Sequence, residues 1–423
     1  MSYYKRTADA LLQDLLDAFG AVLIEGPKWC GKTTTASQLA NSILRMQDPS
    51  LREEYLVTAK TKPSILLNGA TPRLIDEWQD APMLWDAVRT VVDDRQIPGQ
   101  FILTGSNAVD KSQIHHSGVG RIARLRMLPM SLWESGDSTG EISLSELFLA
   151  PDKIGALNKL TLPVLAFVVC RGGWPKALQK KTEKAALLQA TEYYKAITNS
   201  DISRVDNVKR DAERAKRIMR SYARHQGSQA SIATILADIS TNEPEDVSDE
   251  TIDAYLTALR KIFVIEDMPA WNPNLRSKTA VRTSDTRYYV DPSVGVAALG
   301  LGPNDLINDL NTFGLFFETM CIRDLRVYAD ALDGSVYHYR DKNGLECDAV
   351  VHLRNGSYGL IEIKLGGEKL IEDGAKTLMA LSNIIDTSRM KAPAFCMVLT
   401  GVGDFAYKRT DGVYVVPIGC LKN

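Results

Sequence analysis

The sequence predicts a multidomain α/β protein: a parallel-sheet core first, a helical middle, and a second α/β region at the end. Three observations carry this expectation. At 423 residues the chain exceeds what one core ordinarily organises. Three short apolar runs in its first quarter each end in polar or glycine-rich residues, as strands of an open parallel sheet do at the edge that holds ligands. Near the other end, Asn355-Gly356 separates two alternating runs and signals a hairpin.

Composition bounds the function. The chain is 45% hydrophobic and 24% charged with a net charge of -2, so it is no polycation built to coat nucleic acid, and any such surface must be local. No low-complexity tract or internal repeat is present. The opening "MSYYKRTADALLQDLLDAFG" carries acids where a signal peptide needs an apolar run, and "LTLPVLAFVVC" is too short to span a membrane. The six cysteines, Cys30, Cys170, Cys321, Cys347, Cys396 and Cys420, have no metal-type spacing and read as buried thiols of a reducing cytoplasm.

Leu11, Leu12, Leu15, Leu16 and Phe19 recur at helical spacing until Gly20. "AVLIE" (21–25) follows as a strand. Then Gly26, Pro27, Lys28, Trp29, Cys30, Gly31, Lys32 and Thr33 satisfy GxxxxGK[ST]. Glycines let the backbone curl so that successive N–H groups face one concavity, and a helix beginning near Lys32 adds its positive end. Lys32 is expected to reach the β- and γ-phosphates of ATP, and Thr33 to offer its hydroxyl to Mg²⁺, with Thr34 beside it in the first turn. "PRLIDEWQ" (72–79) ends a second strand in Asp76-Glu77, a Mg²⁺-holding aspartate followed by a water-polarising glutamate. "QFILTGSNA" (100–108) ends a third in Thr104-Gly105-Ser106.

These blocks, "LIEGPKWCGKTT", "PRLIDEWQDAPMLWDAVRTVVD" and "FILTGS", with "GRIARLRMLPMSLWE" and "RGGWP" after them, resemble the bacterial and archaeal AAA-type ATPases fused to a carboxy-terminal restriction-endonuclease-like domain. The resemblance implies an AAA+-like core with Walker A and Walker B motifs. By it Lys32 and Thr33 bind nucleotide, Asp76 holds magnesium, Glu77 is the catalytic base and Ser106 is a sensor. Arg121 reads either as an arginine reaching the γ-phosphate, in cis or from a neighbouring copy, or as a surface arginine. Arg171 is in the same position.

The segment 204–224 carries eight Lys or Arg (Arg204, Lys209, Arg210, Arg214, Lys216, Arg217, Arg220, Arg224) against three acids. "SQASIATILADI" (228–239) and "SDETIDAYLTALRKI" (248–262) read as serine-capped helices, the second burying Ile252, Tyr255, Leu256 and Leu259. "FVIEDMPAW" and "TRYYVDP" read as strands around a loop with Arg276, Lys278 and Arg282. Helices followed by a hairpin is the order of a winged helix, which contacts DNA or packs as a lid.

In "GLECDAVVHLRNGSYGLIEIKLG" (344–366), Glu346, Asp348 and Val350 share one face of the first strand, and Leu360, Glu362 and Lys364 one face of the second. The hairpin therefore brings Asp348, Glu362 and Lys364 together, with Glu318 offered from an upstream helix. Two carboxylates suit a hard cation and a lysine can orient water. The order resembles the PD-(D/E)xK superfamily, which implies Glu318, Asp348, Glu362 and Lys364 as catalytic, Asp348 and Glu362 as metal ligands, and Glu346 as a substitute.

The expected division is 1–165 ATPase core, 166–225 helical lid, 226–292 winged-helix module and 293–423 restriction-endonuclease-like domain. The expected protein is a cytoplasmic, ATP-hydrolysing switch that uses ATP and Mg²⁺. Its nucleotide state would control a DNA-binding, nuclease-like tail, and it would self-associate without touching a membrane. The alternative is a nucleotide-gated regulator or scaffold with an inactive tail.

Overall fold

The computed structural model describes residues 3–108, 116–206, 208–242, 247–274 and 281–423. The chain divides into two compact units: the segment up to Pro129, joined by Lys261–Phe263, and most of the chain from Met130 onward.

The first unit is built on a five-stranded parallel sheet of β1 (Ala21–Glu25), β2 (Ser42–Arg45), β3 (Arg73–Asp76), β4 (Phe101–Gly105) and β5 (Ile122–Arg126), in the order β2-β3-β4-β1-β5. Its central strands are continuous apolar runs because helices cover both faces. Alternate residues serve the two sides. Leu23, Ile75, Phe101 and Leu103 join one core with Trp78, Trp85 and Val88. Val22, Ile24, Leu74 and Ile102 join another with Leu12, Leu16 and Ala36. In register, Asp76 lies opposite Thr104 and Glu25 opposite Gly105, so the polar strand ends meet at one edge.

The second unit centres on a seven-stranded mixed sheet. Its strands are β7 (Ala156–Leu157), β8 (Gly334–Arg340), β9 (Glu346–Leu353), β10 (Tyr358–Lys364), β11 (Phe395–Thr400), β12 (Phe405–Lys408) and β13 (Tyr414–Pro417), ordered β7-β12-β13-β11-β10-β9-β8. The hairpin β9–β10 turns at Asn355-Gly356 as expected, with Gly356 at φ 79° and the Asn355 side chain accepting from the Ser357 N–H at 2.8 Å. Two further strands, β6 (Ile142–Ser143) and β14 (Leu421–Lys422), pair parallel.

Those pairings move one expected boundary. Residues 130–165 pack with the second unit, not the first, because β6 pairs with β14 and β7 with β12. Three partnered ionic groups also anchor this region. Arg323, 1% exposed, bridges Asp291 at 2.8 Å and Asp324 at 2.7 Å, both fully buried. Asp291 accepts from the Gly173 N–H and Asp324 from the Leu132 N–H. Burying charge in this way is sustained only when every partner is present.

In the middle of the chain the helix Asp249–Lys261 buries Ile252, Tyr255, Leu256 and Leu259 as expected, and Ser248 caps it at the Thr251 N–H. The preceding helix is Ile232–Asn242, starting later than expected because Ser231, not Ser228, caps it at the Thr234 N–H. The expected hairpin appears as two antiparallel bridges, Ile265–Tyr289 and Met268–Thr286, rather than as regular strands. Arg276 and Lys278 lie outside the described residues. Most of the basic run already has partners inside the protein: Lys216 with Glu213 at 2.7 Å, Arg224 with Asp238 at 2.5 Å, Arg210 on the Ile202 carbonyl, and Arg214, Arg217 and Arg220 also engaged.

All six cysteines are free thiols, five buried and Cys396 half-buried. Among the described residues no helix is long and apolar enough to cross a membrane.

Candidate functional site

The glycine-bounded loop 26–31 leaves β1 and enters the helix Lys32–Leu39. Gly26 must be glycine: a Cβ there would stand 2.0 Å from the Met127 carbonyl oxygen. Gly31 has φ 106° and Trp29 φ 66°, left-handed conformations that turn successive N–H groups toward one side. Cys30 is fully buried and its thiol faces the Met127 carbonyl, which anchors the loop from below. Lys32 is folded over the cradle, its Nζ donating to the carbonyls of Gly26 at 2.9 Å and Pro27 at 2.8 Å. Lys28 and Trp29 are engaged within the protein, and Thr34 is exposed on the first turn.

The second and third strand ends close on this loop. Thr33 donates its hydroxyl to Asp76 Oδ1 at 2.6 Å, and Thr104 donates to the same oxygen at 2.7 Å. Glu77 follows in a left-handed conformation, φ 56°, with its N–H on Thr104 Oγ1. Ser106, 2% exposed, donates to Glu77 Oε2 at 3.0 Å, and Gln79 Nε2 donates to that oxygen as well. Lys32, Thr33, Asp76, Glu77 and Ser106 are therefore brought to one edge. The donor chemistry suits a nucleotide with a magnesium ion: a hydroxyl and a carboxylate side by side, a lysine on neutral acceptors and curled backbone N–H groups.

Arg121 is not part of this edge. It precedes β5, whose first residue pairs with Ala21 at the start of β1, and it binds Asp93 at 2.7 Å. Parallel strands place that end opposite the loop, roughly 15 Å away at about 3.3 Å per residue. Arg171 pairs with Asp137 at 2.6 Å and is 6% exposed, a structural ion pair within the second unit.

A second cluster lies in the second unit. Lys364 Nζ stands 2.6 Å from Glu362 Oε2 and 3.1 Å from Asp348 Oδ2, and Asp348 also accepts the Ile363 N–H at 2.7 Å. Glu318, on the helix Leu310–Asp330, accepts from the Tyr288 hydroxyl at 2.5 Å. Glu318 and Asp348 line one small polar cavity with Tyr288, His338 and Gly227. Burial first and the Asp348 charge second push both Glu318 and Glu362 up to about 8. Burial works against the Lys364 ammonium, but Asp348 and Glu362 together outweigh it and hold its proton above the ordinary lysine range. Glu346 lines the same cavity and pairs with Arg340 at 3.0 Å.

The expected metal pair Asp348–Glu362 is thus a lysine-bridged carboxylate pair. Among the described residues no group of three or more His, Cys, Asp or Glu is placed to hold a metal ion. In this structure the ammonium bridges the two carboxylates.

Sequence reasoning marked Thr104 only as a polar strand end and missed Arg6, Gln79 and Tyr288. Arg6, 7% exposed, donates to the carbonyls of Cys30 at 2.7 Å and Leu128 at 2.8 Å and straps the loop. Thr104 joins Asp76 to the Glu77 backbone, and Gln79 grips Glu77. Tyr288 reaches Glu318 from a distant segment. Only Thr104 and Gln79 had a local signal, as polar residues beside recognised motifs.

Residues 18–135 match a family model described as an AAA domain. Residues 163–305 and 313–421 each match a domain of unknown function (DUF8612 and DUF4143). Uncharacterized proteins of Mycobacterium tuberculosis and Mycobacterium bovis are each 23% identical over 362 residues, spanning 85% of this chain and 74% of theirs. Among solved structures, a Walker-type ATPase of Pyrococcus abyssi aligns over 70% of this chain and 96% of its own, at 11% identity and TM-score 0.40. A point mutant of RuvB from Thermotoga maritima aligns over 62% and 88%, at 16% identity and TM-score 0.27. The complete GxxxxGK[ST] loop and the acidic strand end both lie within the residues that match the AAA-domain model.

Proposed function

We propose that the first unit binds and hydrolyses ATP and that its nucleotide state regulates the second unit. The observation that carries this reading is the state of Lys32. Its ammonium rests on two neutral carbonyls of the loop itself, acceptors that phosphate oxygens outcompete because they add the attraction between opposite full charges that a carbonyl lacks. Bound Mg²⁺ would neutralise phosphate charge, and Thr33 and Asp76 are the residues that would hold it. Glu77 takes the proton of the attacking water, with Ser106 fixing its carboxylate. The Gly26–Thr34 backbone orients the phosphates, and Lys32 meets the charge that develops on them.

Calorimetric titration of ATP with Mg²⁺ and a phosphate-release assay test this directly. Saturable binding and turnover, both lost in Lys32→Ala, are expected; equal affinity in that variant would remove the loop from the reading.

A second reading concerns the tail. Asp348, Glu362, Lys364 and Glu318 have the composition of a phosphodiester-cleaving site, which supports a nuclease-like role. Lysine bridging supports instead a tail that binds or scaffolds without cutting. Incubating duplex and single-stranded DNA with Mg²⁺, with and without ATP, separates the two: cleavage lost in Lys364→Ala supports the first, and intact DNA the second.

A further inference from the structure

We infer that Gln79 is a positioning residue for ATP hydrolysis: it holds one carboxylate oxygen of Glu77 and presents its own amide oxygen to the attacking water. This inference rests on the ATPase reading above.

The geometry begins at the end of β3, where Glu77 takes a left-handed φ of 56° and the short turn Trp78–Asp80 brings Gln79 back beside it. Such a conformation is uncommon for a residue with a β-carbon, and it clusters at functional sites. Glu77 Oε2 receives two donors, Gln79 Nε2 and Ser106 Oγ. Gln79 Nε2 also stands 3.5 Å from Ser106 Oγ, so the three side chains form one closed set. Among the described residues Glu77 Oε1 receives no donor.

The Gln79 amide cannot be turned over, because its oxygen would then face the Glu77 carboxylate. That fixes Gln79 Oε1 as a buried acceptor, and it has no hydrogen-bond partner among the described residues. It packs against Gly105 of β4, where a Cβ would lie 3.1 Å from Gln79 Oε1 and 3.0 Å from Trp78 Nε1. A buried acceptor without a donor is costly and is retained where something else supplies the donor.

A water molecule has two protons to place. One goes to Glu77 Oε1, and the other is held in a hydrogen bond by Gln79 Oε1. In the step itself the water oxygen bonds to the γ-phosphorus. The bond from that phosphorus to the bridging oxygen breaks, and ADP leaves with the electron pair. The proton passes to Glu77; Gln79 neither gains nor loses one.

The test uses the full chain and the variants Gln79→Ala and Gln79→Glu, with kcat and KM for ATP measured beside calorimetric affinity for a non-hydrolysable ATP analogue. Both variants are expected to lower kcat by about 10- to 100-fold, as loss of orientation does, with KM and analogue affinity within about twofold. Independently, the Gln79 side-chain NH₂ resonances, assigned by their absence in Gln79→Ala, should move in nucleotide-free Glu77→Gln and Ser106→Ala. An unchanged kcat in both Gln79 variants of an active enzyme, or amide resonances indifferent to Glu77→Gln, would overturn the inference. Failure of the wild type itself to bind the analogue would instead overturn the ATPase reading.

Discussion

Lys32 and Lys364 each sit among oxygen acceptors, one in each unit, and the acceptors differ in charge. Lys32 rests on the neutral carbonyls of Gly26 and Pro27, while Lys364 is clamped by the carboxylates of Glu362 and Asp348. A lysine on neutral acceptors keeps its charge available for an incoming anion. A lysine between carboxylates has that charge already answered, and removing it leaves two acids facing each other. The first site is poised to exchange partners; the second is held by its own ion pairs. The same residue type thus supports a ligand site in one place and a locked cluster in the other.

The largest expected effect breaks the first site at its base. Glu77→Gln should lower kcat for ATP by about 10²- to 10⁴-fold, the range lost with a general base, while calorimetry still shows binding. Lys32→Ala comes next and acts on affinity. Losing a cation that meets several phosphate oxygens should weaken ATP binding at least ~100-fold, since each charge-assisted bond contributes about 1.5–3 kcal/mol.

At the second site the comparison predicts a stability effect instead. Lys364→Met should cost about 3 kcal/mol in a urea melt at pH 8, the scale of breaking a buried pair, and less at pH 5, where Glu362 carries a proton. Wild-type stability should follow the same logic. Glu318 and Glu362 titrate near 8 in the folded chain, above their ordinary range, so the folded state holds protons that the unfolded state has released. Their contribution is complete below about pH 4.5 and is lost as pH rises through about 8. Thermal melts should therefore fall by several degrees from pH 5 to pH 8, and Glu318→Gln should flatten that slope.

The smallest effect sharpens the first site: Arg6→Ala, which frees the Cys30 and Leu128 carbonyls, should weaken ATP affinity by about threefold to tenfold, one bond to a charged group being worth ~1.5 kcal/mol or less once water replaces it.

What could be read from the sequence follows from what is contiguous. The loop 26–33 and the pair Asp76-Glu77 are each written in one stretch, and their strands and helix fall where expected. Asp348, Glu362 and Lys364 were legible because a hairpin converts spacing into contact. For Arg121 the sequence left a γ-phosphate contact and a surface position open, because periodicity marks a strand but not which edge of the sheet its residues occupy; here it is exposed and paired with Asp93. The boundary near 165 was misplaced because β6 finds its partner at the far end of the chain. Arg6 and Tyr288 were invisible for a related reason: each meets its target through a fold that no local pattern announces. At Asp348–Glu362 composition fits a cation and a lysine alike, and the contact of Lys364 with both carboxylates is what only the fold shows.

The most direct measurement is calorimetric titration of ATP, with Mg²⁺, into the wild-type chain and into Lys32→Ala and Lys364→Met. The account predicts one saturable site in the wild type, none in Lys32→Ala, and wild-type affinity in folded Lys364→Met. Equal binding by the wild type and Lys32→Ala, or binding lost only with Lys364, would contradict it.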